Sequence, residues 1–105
     1  MIPLEKVKQI VSTYENLEKE LASGNINSKD IAKKSKGYSS IREVINQARS
    51  YLSFEKEKAE LEKIMEDKKS DKGMIELAEN ELIQLSKKKE ENEKILKVYL
   101  LPKDE

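Results

Sequence analysis

Two concentrations of lysine are the part of this 105-residue sequence best suited to binding chemistry. Their side chains are Lys33, Lys34, Lys36, Lys87, Lys88 and Lys89. Residues 23–38 contain four lysines and one aspartate, a net charge of +3, whereas residues 73–105 carry a net charge of −2. A local excess of ammonium groups can bind phosphates or an acidic partner. The alternative interpretation is a solvated helix face with no partner.

Carboxylates form two further groups. The first group contains Glu55, Glu57, Glu60 and Glu62, and the second contains Glu90, Glu91 and Glu93. Paired carboxylates on one helix face can hold a divalent cation. Lysines stand among them, however, and such alternation is typical of a salt-bridged surface. These lysines are Lys56, Lys58, Lys63 and Lys94. We therefore predict no metal site.

The sequence contains no His and no Cys, so the usual ligands of zinc and haem are missing. The most common general base and the thiol nucleophile are missing with them. We expect a chain that is not an enzyme and uses no cofactor. The longest apolar run, residues 98–101, is far shorter than the roughly 20 residues of a membrane span, and the start lacks a signal-peptide pattern. We expect a cytoplasmic protein.

The lysines and carboxylates must be positioned by helices, because apolar residues recur at spacings of three and four along most of the chain. The predicted helices span about residues 3–22, 28–67 and 74–100. Gly24 is suited to end the first helix, and Pro102 to end the third. Gly37 lowers helix stability, so a kink or break near it is an alternative to one continuous second helix.

An elongated shape follows from the composition, since 40% of the residues are charged and 36% are hydrophobic. Such a chain can fill narrow apolar seams more easily than a thick core. Short connections make sequential helices antiparallel neighbours. The sequence thus predicts an all-α fold: one domain over residues 1–105 that forms an elongated antiparallel three-helix coiled-coil-like bundle.

Polar residues interrupt the expected seam between the second and third helices. Antiparallel pairing would carry Lys89 and Asn92 towards residues 46–50, and a buried unpaired lysine is costly. We expect a hydrated or weakly packed layer at that height. The four tyrosines fall on or beside the seams, where we expect them at the edge of the core and not in a ligand cage. They are Tyr14, Tyr38, Tyr51 and Tyr99.

Three segments go beyond a generic coiled coil. Residues 98–104 read Val-Tyr-Leu-Leu-Pro-Lys-Asp, residues 74–82 read Met-Ile-Glu-Leu-Ala-Glu-Asn-Glu-Leu, and residues 35–41 read Ser-Lys-Gly-Tyr-Ser-Ser-Ile. Together they resemble the N-terminal helical domain of a bacterial class-I peptide chain release factor of the type that reads UAA and UAG. The resemblance covers the whole chain in order and length. It departs at Gly37, where a charged residue is usual, and at residues 71–73, which replace the family's Asp-Pro-Glu.

The resemblance implies a noncatalytic, ribosome-binding role in translation termination. The family's Gly-Gly-Gln and Pro-x-Thr motifs are absent from this sequence, so we expect a piece truncated from a longer factor. In similar proteins this domain contacts a ribosomal protein and ribosomal RNA at the base of the large-subunit stalk. No motif assigns a residue to that contact, and the six lysines are the candidates.

Two other functions are open at this point. A self-standing coiled-coil adaptor or homodimer is one, because the first helix is too short to cover the second, and weak self-association of the chain would fit it. A helical arm that grips tRNA is the other. The net charge of zero argues against the arm, because phosphate binding calls for a clear basic stripe.

Overall fold

A computed structural model of the protein describes residues 1–101, in which all regular structure is helical. The helices are α1 (Leu4–Ser23), α2 (Ser28–Arg42), α3 (Ile45–Glu66) and α4 (Lys72–Leu100). The described part of the chain measures 60 × 33 × 19 Å. The all-α prediction is therefore confirmed, and the chain is elongated. Pro102, the predicted end of the last helix, lies outside the described residues.

Local sequence signals set the helix ends. Gly24 follows α1 with a φ of 72°, the left-handed conformation that a glycine adopts without strain, so its predicted role as a C-terminal cap is confirmed. Asp71 caps α4, because its Oδ1 accepts a hydrogen bond of 2.8 Å from the Met74 N–H. That cap starts α4 at Lys72, two residues earlier than predicted.

The prediction of one helix over residues 28–67 is wrong. A turn at Glu43 and Val44 separates α2 from α3, whereas α2 runs unbroken through Gly37. At Gly37 the missing side chain matters little, because a Cβ there would lie 3.6 Å from Leu17 Cδ1, an ordinary contact. At Val44 the backbone has φ −121° and ψ 1°, and its N–H bonds to the Ile41 carbonyl. Burial of Ile41, Val44 and Ile45 in the core accompanies this bend.

The core lies where all four helices converge. α1 packs against α2 and α3, and α3 packs along α4. The buried apolar residues of this core are Ile2, Val7, Ile10, Tyr14, Ile41, Val44, Ile45, Ala48, Tyr51 and Leu96. Burial of this apolar surface is the main source of stability. Residues 1–101 therefore enclose a core of their own.

The layer around Asn92 is packed, so the weakly packed form of the prediction is wrong, whereas its hydrated form stays a prediction. Asn92 is 5% exposed and Ala48 is fully buried. Lys89 is half-buried, and its ammonium lies 4.4 Å from the centre of the Phe54 ring and 5.9 Å from that of Tyr51. These cation–π contacts give the charge a favourable place at the edge of the core. Lys89 thus contacts Tyr51 and Phe54, which lie beyond the predicted residues 46–50.

Two tyrosines join α1 to α2. The rings of Tyr14 and Tyr38 stack with centroids 4.6 Å apart and an angle of 16° between their planes. Their hydroxyl oxygens are 2.9 Å apart, and the Tyr38 hydroxyl donates to Glu18 at 3.1 Å. The hydrogen bond with Tyr14, followed by burial and by the Glu18 carboxylate, raises the pKa of Tyr38 from 10.0 to about 12.

We expect an alkaline titration to reveal the raised pKa of Tyr38. The folded chain favours the neutral Tyr38 hydroxyl, so its stabilising contribution is complete below pH 10 and is lost as the pH rises towards 12. Tyr14→Phe should lower the pKa of Tyr38, measured by tyrosinate absorbance, and Tyr99→Phe should leave it unchanged. An unchanged Tyr38 midpoint in Tyr14→Phe would contradict this account.

Candidate functional site

The three predicted lysines of α2 do not share one environment. Lys33 and Lys36 are exposed. Lys34 is half-buried and forms an ion pair with Glu20 of α1. Lys33 and Lys36 are therefore the α2 lysines of the predicted set that point to solvent.

The three predicted lysines of α4 are also divided. Lys87 and Lys88 are exposed and border a shallow groove together with Glu81 and Glu91. Lys89 lies over the rings of Tyr51 and Phe54. The carboxylates beside Lys87 and Lys88 reduce the positive potential at that place. The α4 helix has six basic and six acidic residues, so its net charge is zero.

The fold does not unite the two lysine groups into one site, because the backbones of α2 and α4 do not approach each other closely within residues 1–101. The α2 helix is the more basic of the two. It carries five basic residues and one acidic residue, a net charge of +4. A binding surface for phosphate is therefore better supported on α2 than on α4.

A third exposed lysine completes the α2 surface. Lys29 precedes Lys33 by four residues and Lys36 by seven, which is the spacing of one helix face. All three side chains are exposed, and we call them the basic face. Lys29 was not among the predicted residues because it stands outside the runs of adjacent lysines, whereas the helical spacing identifies it.

A cluster of hydrogen bonds around Tyr51 attaches the first residues of the chain to the core. The Tyr51 hydroxyl accepts a hydrogen bond from the Ile2 N–H at 3.4 Å and donates one to Glu93 Oε1 at 2.7 Å. Burial, followed by the bond to Glu93, raises the pKa of Tyr51. The same bond holds the pKa of Glu93 below its usual value. These groups satisfy one another, and the cluster is structural.

The predicted carboxylate groups do not assemble into a metal site in the described part of the chain. Among residues 1–101 no three carboxylates lie together in an arrangement that could hold a metal ion. The ion pairs found there are Glu5–Lys8, Glu15–Arg49 and Glu20–Lys34. The predicted pairing of the carboxylate groups with Lys56, Lys58, Lys63 and Lys94 is not among them.

No described helix has the length and apolar character of a membrane span.

Comparison with protein families finds a matching family model. The model of the PCRF domain matches residues 10–105, nearly the whole chain. The chain belongs to the PCRF domain family. The resemblance to the N-terminal helical domain of release factors, seen in the sequence, is confirmed.

Several curated relatives of this PCRF domain share the name Peptide chain release factor 1. The chain is 50% identical over its full length to Peptide chain release factor 1 of Pelagibacter ubique and covers 29% of that protein. It is 36% identical to the protein of the same name from Bartonella tribocorum over 98% of the chain and 28% of the relative. The PCRF domain chain thus spans under a third of their length. No solved structure matches it significantly.

Proposed function

We propose that this chain is the noncatalytic, ribosome-binding domain of a longer peptide chain release factor that acts in stop-codon-dependent translation termination in the cytoplasm. Membership of the PCRF domain family and the shared name of the relatives support this role. The lack of His and Cys fits a domain that does no chemistry itself. In this proposal α2 and α3 act together as one bent rod, which gives an antiparallel three-rod bundle.

The basic face of α2 is the observation that carries the proposal. Lys29, Lys33 and Lys36 place three ammonium groups on one exposed stripe, and ribosomal RNA offers a dense array of phosphates. We infer that this stripe meets ribosomal RNA, with an adjoining ribosomal protein, at the base of the large-subunit stalk. Lys87 and Lys88 are the second candidate contact.

Charge reversal on α2 tests the proposal in the full-length factor. We expect Lys33→Glu with Lys36→Glu to weaken binding to ribosomes by about tenfold or more at moderate salt, because each lost phosphate contact removes counterion release. The slope of log affinity against log salt concentration should become shallower. Equilibrium binding of a labelled factor to purified ribosomes, measured at several salt concentrations, gives both quantities.

A matched control is available in the turn between α3 and α4. Lys68→Glu with Lys69→Glu introduces the same change of charge on exposed side chains outside both candidate lysine groups. We expect this variant to bind ribosomes much more like the wild type. Equal losses in the two variants would point to a general charge effect and not to the basic face. Unchanged binding of the α2 variant would refute the assignment of that face.

A further inference from the structure

An open apolar groove lies on the side of the molecule where the turn between α2 and α3 meets the end of α4. Its volume is about 490 Å³. The lining residues are Glu43, Val44, Lys94, Ile95, Val98 and Tyr99. Val44 and Tyr99 form its floor, since both also belong to the packed core or lie against it. The groove is thus a continuation of the core onto the surface.

The walls of the groove are apolar side chains that face solvent. Ile95 is 41% exposed and Val98 is 70% exposed. Leu101, which follows the helix end and is not one of the lining residues, is 61% exposed. Their spacing of three residues brings them close together along the last turns of α4. Neighbouring exposed apolar side chains mark an interaction surface more often than single ones do. The charged residues that line the groove, Glu43 and Lys94, are of opposite sign, so it favours an uncharged occupant over phosphate.

The position of the groove indicates what covers it. The relatives that match the whole chain are more than three times its length, and the chain covers 28–29% of each. In the longer factor proposed above, the polypeptide that follows residue 105 would start only a few residues along the chain from Leu101. A tether this short gives an effective concentration of order millimolar, which favours a segment of the same chain over a second copy.

We propose that the polypeptide following residue 105 in the full-length protein folds back onto this groove and buries Ile95 and Val98 through its own apolar side chains. The inference rests on one part of the proposed function, namely that the chain belongs to a longer factor. Covering of the groove by this polypeptide does not require a ribosome. In this arrangement the groove is an interface within one protein, between the PCRF domain and the part that follows it.

Thiol labelling tests this inference, because the 105-residue chain has no cysteine of its own. Val98→Cys reports on the groove, and Leu77→Cys, at a position 61% exposed on the same helix, is the matched control. Each is placed in the 105-residue chain, which encloses its own core, and in the full-length protein with any other cysteines changed to serine. The rate of reaction with a maleimide is measured without ribosomes.

We expect the two variants to react at similar rates in the 105-residue chain. In the full-length protein we expect the thiol of Val98→Cys to react about tenfold or more slowly, the effect of a closed state favoured by at least about 1.4 kcal/mol, while that of Leu77→Cys keeps its rate. Ile95→Cys should repeat the result obtained with Val98→Cys, and circular dichroism should show wild-type helix content in every variant.

Two outcomes would overturn the inference. One is an unchanged labelling rate for Val98→Cys in the full-length protein. The other is protection of the same variant in the 105-residue chain that grows with protein concentration, which would make a second copy the occupant. Protection in a full-length protein that fails to bind ribosomes would leave this inference standing and refute the ribosomal role. The two proposals can therefore fail separately.

Discussion

Leu96→Ala is expected to lower the free energy of unfolding by about 3 kcal/mol, because removing a buried leucine costs transfer energy and leaves a cavity. Leu96 is fully buried and is the one α4 residue among the buried members of the core cluster in residues 1–101. Its side chain ties α4 to the helices around it. Urea unfolding followed by circular dichroism measures the change.

The matched control for this prediction is Leu77→Ala on the same helix. Leu77 is 61% exposed, so its truncation removes little buried surface, and we expect a change within about 0.5 kcal/mol. Helix propensity is nearly equal for the two substitutions, since both replace leucine by alanine in the interior of α4. Comparable losses in the two variants would show that α4 is not held by the core at Leu96.

Tyr51→Phe is expected to lower the free energy of unfolding by about 1.5 kcal/mol, since hydrogen bonds to charged groups contribute about that much. The Tyr51 ring is 3% exposed and can stay in place in the variant. Its hydroxyl bonds both the Ile2 N–H and the Glu93 carboxylate, and the change leaves both groups without it. Urea unfolding at neutral pH measures the loss.

The pH dependence gives this prediction a second readout. The hydrogen bond from Tyr51 lowers the pKa of Glu93 in the folded chain below 4.5. The contribution of this bond to the free energy of unfolding is therefore present above pH 4.5 and is lost as the pH falls through the lowered pKa. The stability gap between wild type and Tyr51→Phe should therefore narrow in acid. Tyr99→Phe, at a half-buried ring against the core, should leave the acid profile unchanged. A gap that stays constant from pH 7 to acid would contradict the role of Glu93.

Local patterns in the sequence were enough to predict the class of fold and most helix ends. Apolar spacing predicted the helices, and Gly24 predicted the end of α1 because a left-handed residue closes a helix in that way. The turn at Glu43 and Val44 was not predictable from such signals, since no glycine or proline stands there. It accompanies the burial of Ile41, Val44 and Ile45 against other helices, which is a tertiary effect.

The candidate site also has some features that the sequence predicts and others that depend on how the helices pack. The excess of lysine on α2 can be read from the sequence, and Lys29 follows from helical spacing once that rule is applied. The engagement of Lys34 by Glu20 and of Lys89 by Phe54 could not be read in this way. Each of these contacts joins residues distant in the sequence, so the packing of helices is needed to reveal which lysines stay exposed.

The turn at Glu43 and Val44 also sets the angle between α2 and α3. A helix of 15 residues is about 22 Å long, so a change of about 10° at the turn moves its far end by about 4 Å. Glu43 and Val44 also line the apolar groove, and the lysines of the basic face lie on the helix that ends at this turn. One short turn therefore belongs both to the groove and to the element that carries those lysines.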